Sequence, residues 1–107
     1  METLREGISD TVNELNKLIR ITQDPEQITK LRNLRRIYFM IWEEVIKQDI
    51  DKNTAEYKEA LDSLDHAHQT IESAMQDIAK ISASIDMAVT AAKAVNKIVK
   101  FGFDMLA

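Results

Sequence analysis

The chain has no cysteine, and only one proline and two glycines among its 107 residues. Without cysteine there is no disulfide framework, no thiolate zinc site and no thiol nucleophile. So little turn punctuation favours an all-α chain with few connections. Aromatic residues are scarce at 6%, although apolar residues reach an ordinary 45%. Long uncharged runs are missing too: no window of about 18 residues is free of charge, so no transmembrane span is expected. The N-terminus, METLREGISD, lacks the apolar segment of a signal peptide. A cytoplasmic protein is the expectation.

Charge of one sign is also lacking. The net charge is −4, and the largest imbalance lies in residues 54–80, where six acids face two bases. No block is basic enough to make nucleic acid a main partner. Lys30, Arg32, Arg35 and Arg36 do cluster at the start of the second predicted helix. Glu26, Glu43 and Glu44 dilute that patch, and a solvated face is the better reading.

What is present is helical periodicity. Thr3 and Glu6 form a capping box, and Leu4, Ile8, Val12, Leu15, Leu18 and Ile21 make one stripe over a helix at about 3–22. Gln23-Asp24-Pro25-Glu26-Gln27 is the clearest boundary. Asp24 suits an N-cap, Pro25 the first helical position and Gln27 the third. A connection this short makes the first two helices antiparallel neighbours.

The second helix is predicted from Pro25 to near Asp49. Leu31, Leu34, Tyr38, Ile41, Trp42 and Val45 form its main stripe, while Ile28, Phe39, Ile46 and Ile50 fall on an adjoining face. Its middle is apolar all round, so burial on more than one side is expected, with Trp42 in the core. A polar break, Asp51 to Thr54, comes next, with Asn53 and Glu56 as a third capping box.

From Tyr57 onward a heptad runs without interruption by Gly or Pro until Gly102. Position d reads Tyr57, Leu64, Ile71, Ile78, Ile85, Ala92, Val99 and Leu106. Position a reads Leu61, His68, Met75, Ser82, Val89, Asn96 and Phe103. This pattern predicts one continuous coiled-coil-like helix over about 54–106. At ~1.5 Å per residue that helix would span about 75 Å, against about 28 and 38 Å for the first two. The expected fold is a single all-α domain of two antiparallel helices packed on a long third. The alternative is a four-helix up-down bundle with a break near Ser82.

The length mismatch sets the functional expectation. The hairpin covers only half of the long helix, and the uncovered half is apolar and needs a partner. A homodimer or larger homo-oligomer is expected, with Ile85, Val89, Ala92, Val95, Asn96, Val99 and Phe103 at the interface. Asn96, a polar residue at an a position, is a candidate for fixing register. An unidentified protein partner is a second possibility. A membrane surface is a third, because Lys93, Lys97 and Lys100 line one face of an otherwise apolar C-terminal helix.

Chemistry is thinly represented. Asp62, Asp65, His66, His68 and Glu72 are the only cluster of ligand types, with i,i+3 and i,i+4 spacings that place pairs on one helical face. Glu6, Asp10 and Glu14 on the first helix and Glu43 and Glu44 on the second have no spacing that ties them to it. The plainer reading is a solvated His66 and a polar seam residue at His68, so neither metal nor cofactor is expected. Ser63, Ser73, Ser82 and Ser84 lie inside predicted helix with no activating loop. The function expected is therefore non-enzymatic: assembly or partner binding through helix–helix contacts. A membrane-associated accessory or toxin-related role for the C-terminal helix is the alternative.

Overall fold

The computed structural model describes residues 3–99, which form four α-helices and no strand. They are α1 (Leu4–Ile21), α2 (Pro25–Lys47), α3 (Ala55–Gln76) and α4 (Ile81–Val99), with a 3₁₀ turn at Ile78–Lys80 between the last two. The first two helices begin where their caps predict. The Thr3 hydroxyl accepts from the Glu6 amide at 3.1 Å, and Asp24 accepts from the Gln27 amide at 3.3 Å with Pro25 in the first turn. The third cap is displaced by one residue from the expected Asn53. Thr54 accepts from the Tyr57 amide at 3.2 Å, while the Asn53 amide is turned to the Asp51 carboxylate.

The long third helix is not formed. It ends at Gln76, and Asp77 adopts an extended conformation (φ −146°, ψ 102°). The Asp77 carboxylate then accepts from the Ala79 amide at 3.1 Å and starts the chain's reversal. The break thus falls five residues before Ser82, the position favoured for it in the four-helix alternative. Asp77 supplies the physical reason: its short acceptor side chain competes for nearby amides and can cap the next turn without Gly or Pro. The heptad survives because the stripes of α3 and α4 happen to be in phase. Its d residue at the turn, Ile78, is 68% exposed, whereas Ile71 and Ile85 on either side are buried.

The bundle measures 39 × 24 × 20 Å. Helix α1 packs on α2 and α3, and α4 packs on α3 and α2, so α1/α4 and α2/α3 are the diagonals. The cross-helix bonds fix direction. Leu4 pairs with Tyr57 and Glu14 with His68, so α1 and α3 run parallel. Tyr38 pairs with Ala88 and Gln48 with Val99, so α2 and α4 run parallel as well. Two antiparallel hairpins therefore lie side by side, joined by a diagonal connection over residues 48–54.

One core fills the centre, contributed by Leu4, Ile8, Leu15 and Leu18 of α1, Leu31, Tyr38 and Ile41 of α2, and the matching stripes of α3 and α4. Small residues at Ala60, Ala67, Ala74, Ala88, Ala91 and Ala92 are almost fully buried and let the helices approach closely. The expected interface residues Ile85, Ala92, Val95 and Val99 belong to this core, and Val89 and Asn96 are half-buried against it. Phe103 lies outside the described residues. With α4 folded back, the length mismatch that motivated an interface there is gone.

Candidate functional site

Two places on the bundle carry more than packing. The first is the centre of the α1/α3 seam. Glu14 sits on α1 between the buried Leu15 and the exposed Asn13, and only 12% of its side chain is accessible. His68 faces it from α3, and the ring Nδ1 is hydrogen-bonded to Glu14 Oε1. One turn further along α3, Glu72 Oε1 lies 3.2 Å from His68 Nε2. An imidazole is thus held between two carboxylates, one buried and one largely in water.

Those positions set the electrostatics. Burial pushes the Glu14 carboxyl above the ordinary carboxylate range, although His68 opposes that rise. The bond to Glu14 raises the His68 imidazole above its ordinary value, with the charges of Glu14, Glu72 and Asp65 acting the same way. The group opens on a groove of about 570 Å³ that Asp10, Asn13, Lys17 and Met75 also line.

Of the cluster Asp62, Asp65, His66, His68 and Glu72, the fold brings together His68 and Glu72. Asp62 and His66 point into solvent, and Asp65 accepts from Gln69 on its own helix at 3.1 Å. The partner that completes the group is Glu14, which helical periodicity alone places on the solvated face of the first helix. Its signal is its place beside the apolar stripe. Parallel α1/α3 pairing is what makes it count, and no spacing in the sequence announces that pairing. No serine, threonine or tyrosine is among the described residues that line the groove.

The second place is the outer face of α2. The adjoining stripe is covered only in part within the chain: Ile28 and Ile50 are partly buried, whereas Phe39 is 52% and Ile46 40% exposed. Trp42 is only partly buried, at the edge of the core, so its expected core position is corrected. Phe39 and Trp42 frame a small hollow of about 160 Å³ with Ser9, Val12 and Asn13 of α1. Arg32 and Arg36 are exposed toward the N-terminal end of this face, Glu43 and Lys47 are exposed toward its C-terminal end, and Asp49 lies beyond the helix. Arg35 is tied down by donating to Asn16 Oδ1 at 2.7 Å.

Among the described residues no helix is long and apolar enough to cross a membrane. The Asn96 side-chain oxygen is buried and finds no hydrogen-bond partner among them. Comparison of the chain with protein-family models, with curated proteins and with solved structures returns no match.

Proposed function

We propose that this chain is a non-enzymatic assembly module that self-associates through the outer face of α2. The observation that carries this reading is the stripe of exposed Phe39 and Ile46 with the partly buried Trp42 between them, at the three-then-four spacing of a helix–helix seam. The occupant is a second copy of the chain, because the apolar stripe is self-complementary in the antiparallel sense, with exposed Phe39 and Ile46 three and four residues to either side of Trp42. Two such helices related by a two-fold axis near Trp42 set Phe39 of each against Ile46 of the other. An isologous contact of this kind closes on itself and gives a dimer.

Magnitudes make it a reversible dimer. A patch of roughly 300 Å² per copy is at the low end of what soluble monomers expose. Covering both patches is worth about 15 kcal/mol at ~25 cal/mol per Å². Association and ordering cost about 4–15 kcal/mol, which leaves a modest margin. The stable oligomer expected from an uncovered half-helix is therefore replaced by a contact that responds to concentration.

Sedimentation equilibrium between micromolar and millimolar protein tests the reading. Mass should rise toward a dimer, and Phe39→Asp with Ile46→Asp should hold the chain monomeric with unchanged helical content. A wild-type chain monomeric throughout that range would sink the proposal. So would a dimer indifferent to both substitutions. The membrane alternative is less favoured, because the apolar face of α4 over Ile81–Val99 packs into the core.

A further inference from the structure

The Glu14–His68–Glu72 group is left unused by self-association, and its geometry asks for a cation. A carboxylate accepts hydrogen bonds, so the Glu14 bond places a proton on His68 Nδ1. In the neutral ring, Nε2 then presents a lone pair to Glu72 Oε1 at 3.2 Å. Two acceptors at that distance repel unless something positive lies between them. A proton on Nε2 is one solution, giving an imidazolium between two carboxylates. A metal ion is the other, and it takes over as the proton leaves.

We infer that His68 Nε2 and Glu72 Oε1 form a surface site for a zinc-class divalent ion, with Glu14 as the carboxylate that orients the imidazole. Zinc bonds of about 2.0–2.2 Å at angles of about 90–109° place neighbouring donors about 3.0–3.4 Å apart. The 3.2 Å separation of His68 Nε2 and Glu72 Oε1 lies inside that range. Glu14 fits the orienting role because it is largely buried and already fixes the tautomer that leaves Nε2 free to ligate. Ligand atoms of all three residues lie within 4.8 Å of one another. The remaining coordination positions face the open groove and fall to water, with Asp10 lining the same space. The Lys17 ammonium also lines it and works against a cation. Two protein ligands and a nearby lysine make a weak site, filled only when metal is abundant. A nitrogen and a carboxylate oxygen favour zinc or its transition-metal neighbours over calcium or magnesium.

Zinc titration of the untagged full chain by isothermal calorimetry provides the test, run at pH 8 and pH 5.5. The expected result is saturable binding of one equivalent per chain at pH 8 that is lost at pH 5.5, where the proton holds Nε2. Glu72→Gln changes an exposed side chain and leaves the fold intact. It should weaken zinc binding about tenfold or more, as His68→Gln should abolish it. Glu14→Gln should weaken it by about 10–100-fold, the usual cost of losing a carboxylate behind a metal-bound histidine. His66→Gln should change nothing. Failure of zinc to saturate one site by millimolar concentration at pH 8 would overturn the inference. So would binding that survives Glu72→Gln unchanged or that disappears with His66→Gln.

Discussion

The two parallel helix pairs, α2/α4 and α1/α3, are each crossed by one tyrosine, yet one seam is dry and the other is wet at its centre. In α2/α4 the Tyr38 side chain is fully buried and its hydroxyl donates to the Ala88 carbonyl. Burial pushes that phenol well above its ordinary range, so it stays protonated and keeps donating. In α1/α3 the Tyr57 hydroxyl accepts from the Leu4 amide at 3.1 Å, satisfying one of the orphan donors at the start of α1. Ten residues further along that seam, apolar packing gives way to Glu14 and His68. The difference lies in the polarity of the side chains at the seam, because both α3 and α4 carry buried alanines. Helix α2 meets α4 with a buried phenol ring whose hydroxyl finds the Ala88 carbonyl. Helix α3 meets α1 with an imidazole against a carboxylate where the seam reaches the surface.

If the dry seam dominates stability, Tyr38 is its most sensitive residue. Tyr38→Ala removes a ring from a site with no access to water and should cost about 3–5 kcal/mol in urea denaturation. Tyr38→Phe keeps the volume and should cost only about 1 kcal/mol, the net worth of one hydrogen bond. A cost below about 1 kcal/mol for the alanine variant would mean that the two seams contribute alike. The packing around the alanines of α4 can be probed with Ala92→Leu. No space exists for the added atoms at a fully buried position, and a loss of about 1–3 kcal/mol is expected.

Trp42 sharpens the contrast between the core and the outer face of α2. It lies at the edge of the core, so Trp42→Ala should cost about 1–2 kcal/mol, well below the Tyr38 truncation. Its fluorescence should also respond to protein concentration if the α2 face is where two copies meet. An emission maximum unchanged over the range in which mass rises would move the contact elsewhere.

Much of the fold was legible in local chemistry. The caps at Thr3 and Asp24 and the stripes of all four helices are short-range features that a sequence displays directly. The break at Asp77 was hidden because a heptad pattern records which residues face a core, not whether the helix between them is continuous. Two helices folded back in phase produce the same pattern as one long helix. The exposed Ile78 was the residue that fitted the heptad but not the fold. The site was half legible: the His68/Glu72 spacing is local, whereas Glu14 reaches His68 only through the parallel pairing of hairpins that the diagonal connection creates. Tertiary arrangement of that kind leaves no mark in spacing.

The smallest effect expected belongs to the wet seam, and its sign can be worked out. His68 has a higher proton affinity folded than unfolded, because Glu14 holds its protonated form. Its contribution to stability is therefore complete below the ordinary histidine value near 6.5 and is lost as pH rises through the folded one. Glu14 is also raised, here by burial, so the folded state again binds its proton more tightly. That contribution too is present below the ordinary carboxyl value and fades as pH rises, so the two groups act in the same direction. Stability should fall as pH rises above about 6.5, by less than about 1 kcal/mol because His68 is a third exposed and the pair is screened. Thermal unfolding in the presence of EDTA isolates this proton effect from any bound metal. His68→Gln should flatten that slope, while His66→Gln, altered on the exposed face of the same helix, should keep it. A slope equally steep in His68→Gln would assign the pH response to another part of the bundle and leave the α1/α3 seam electrostatically silent.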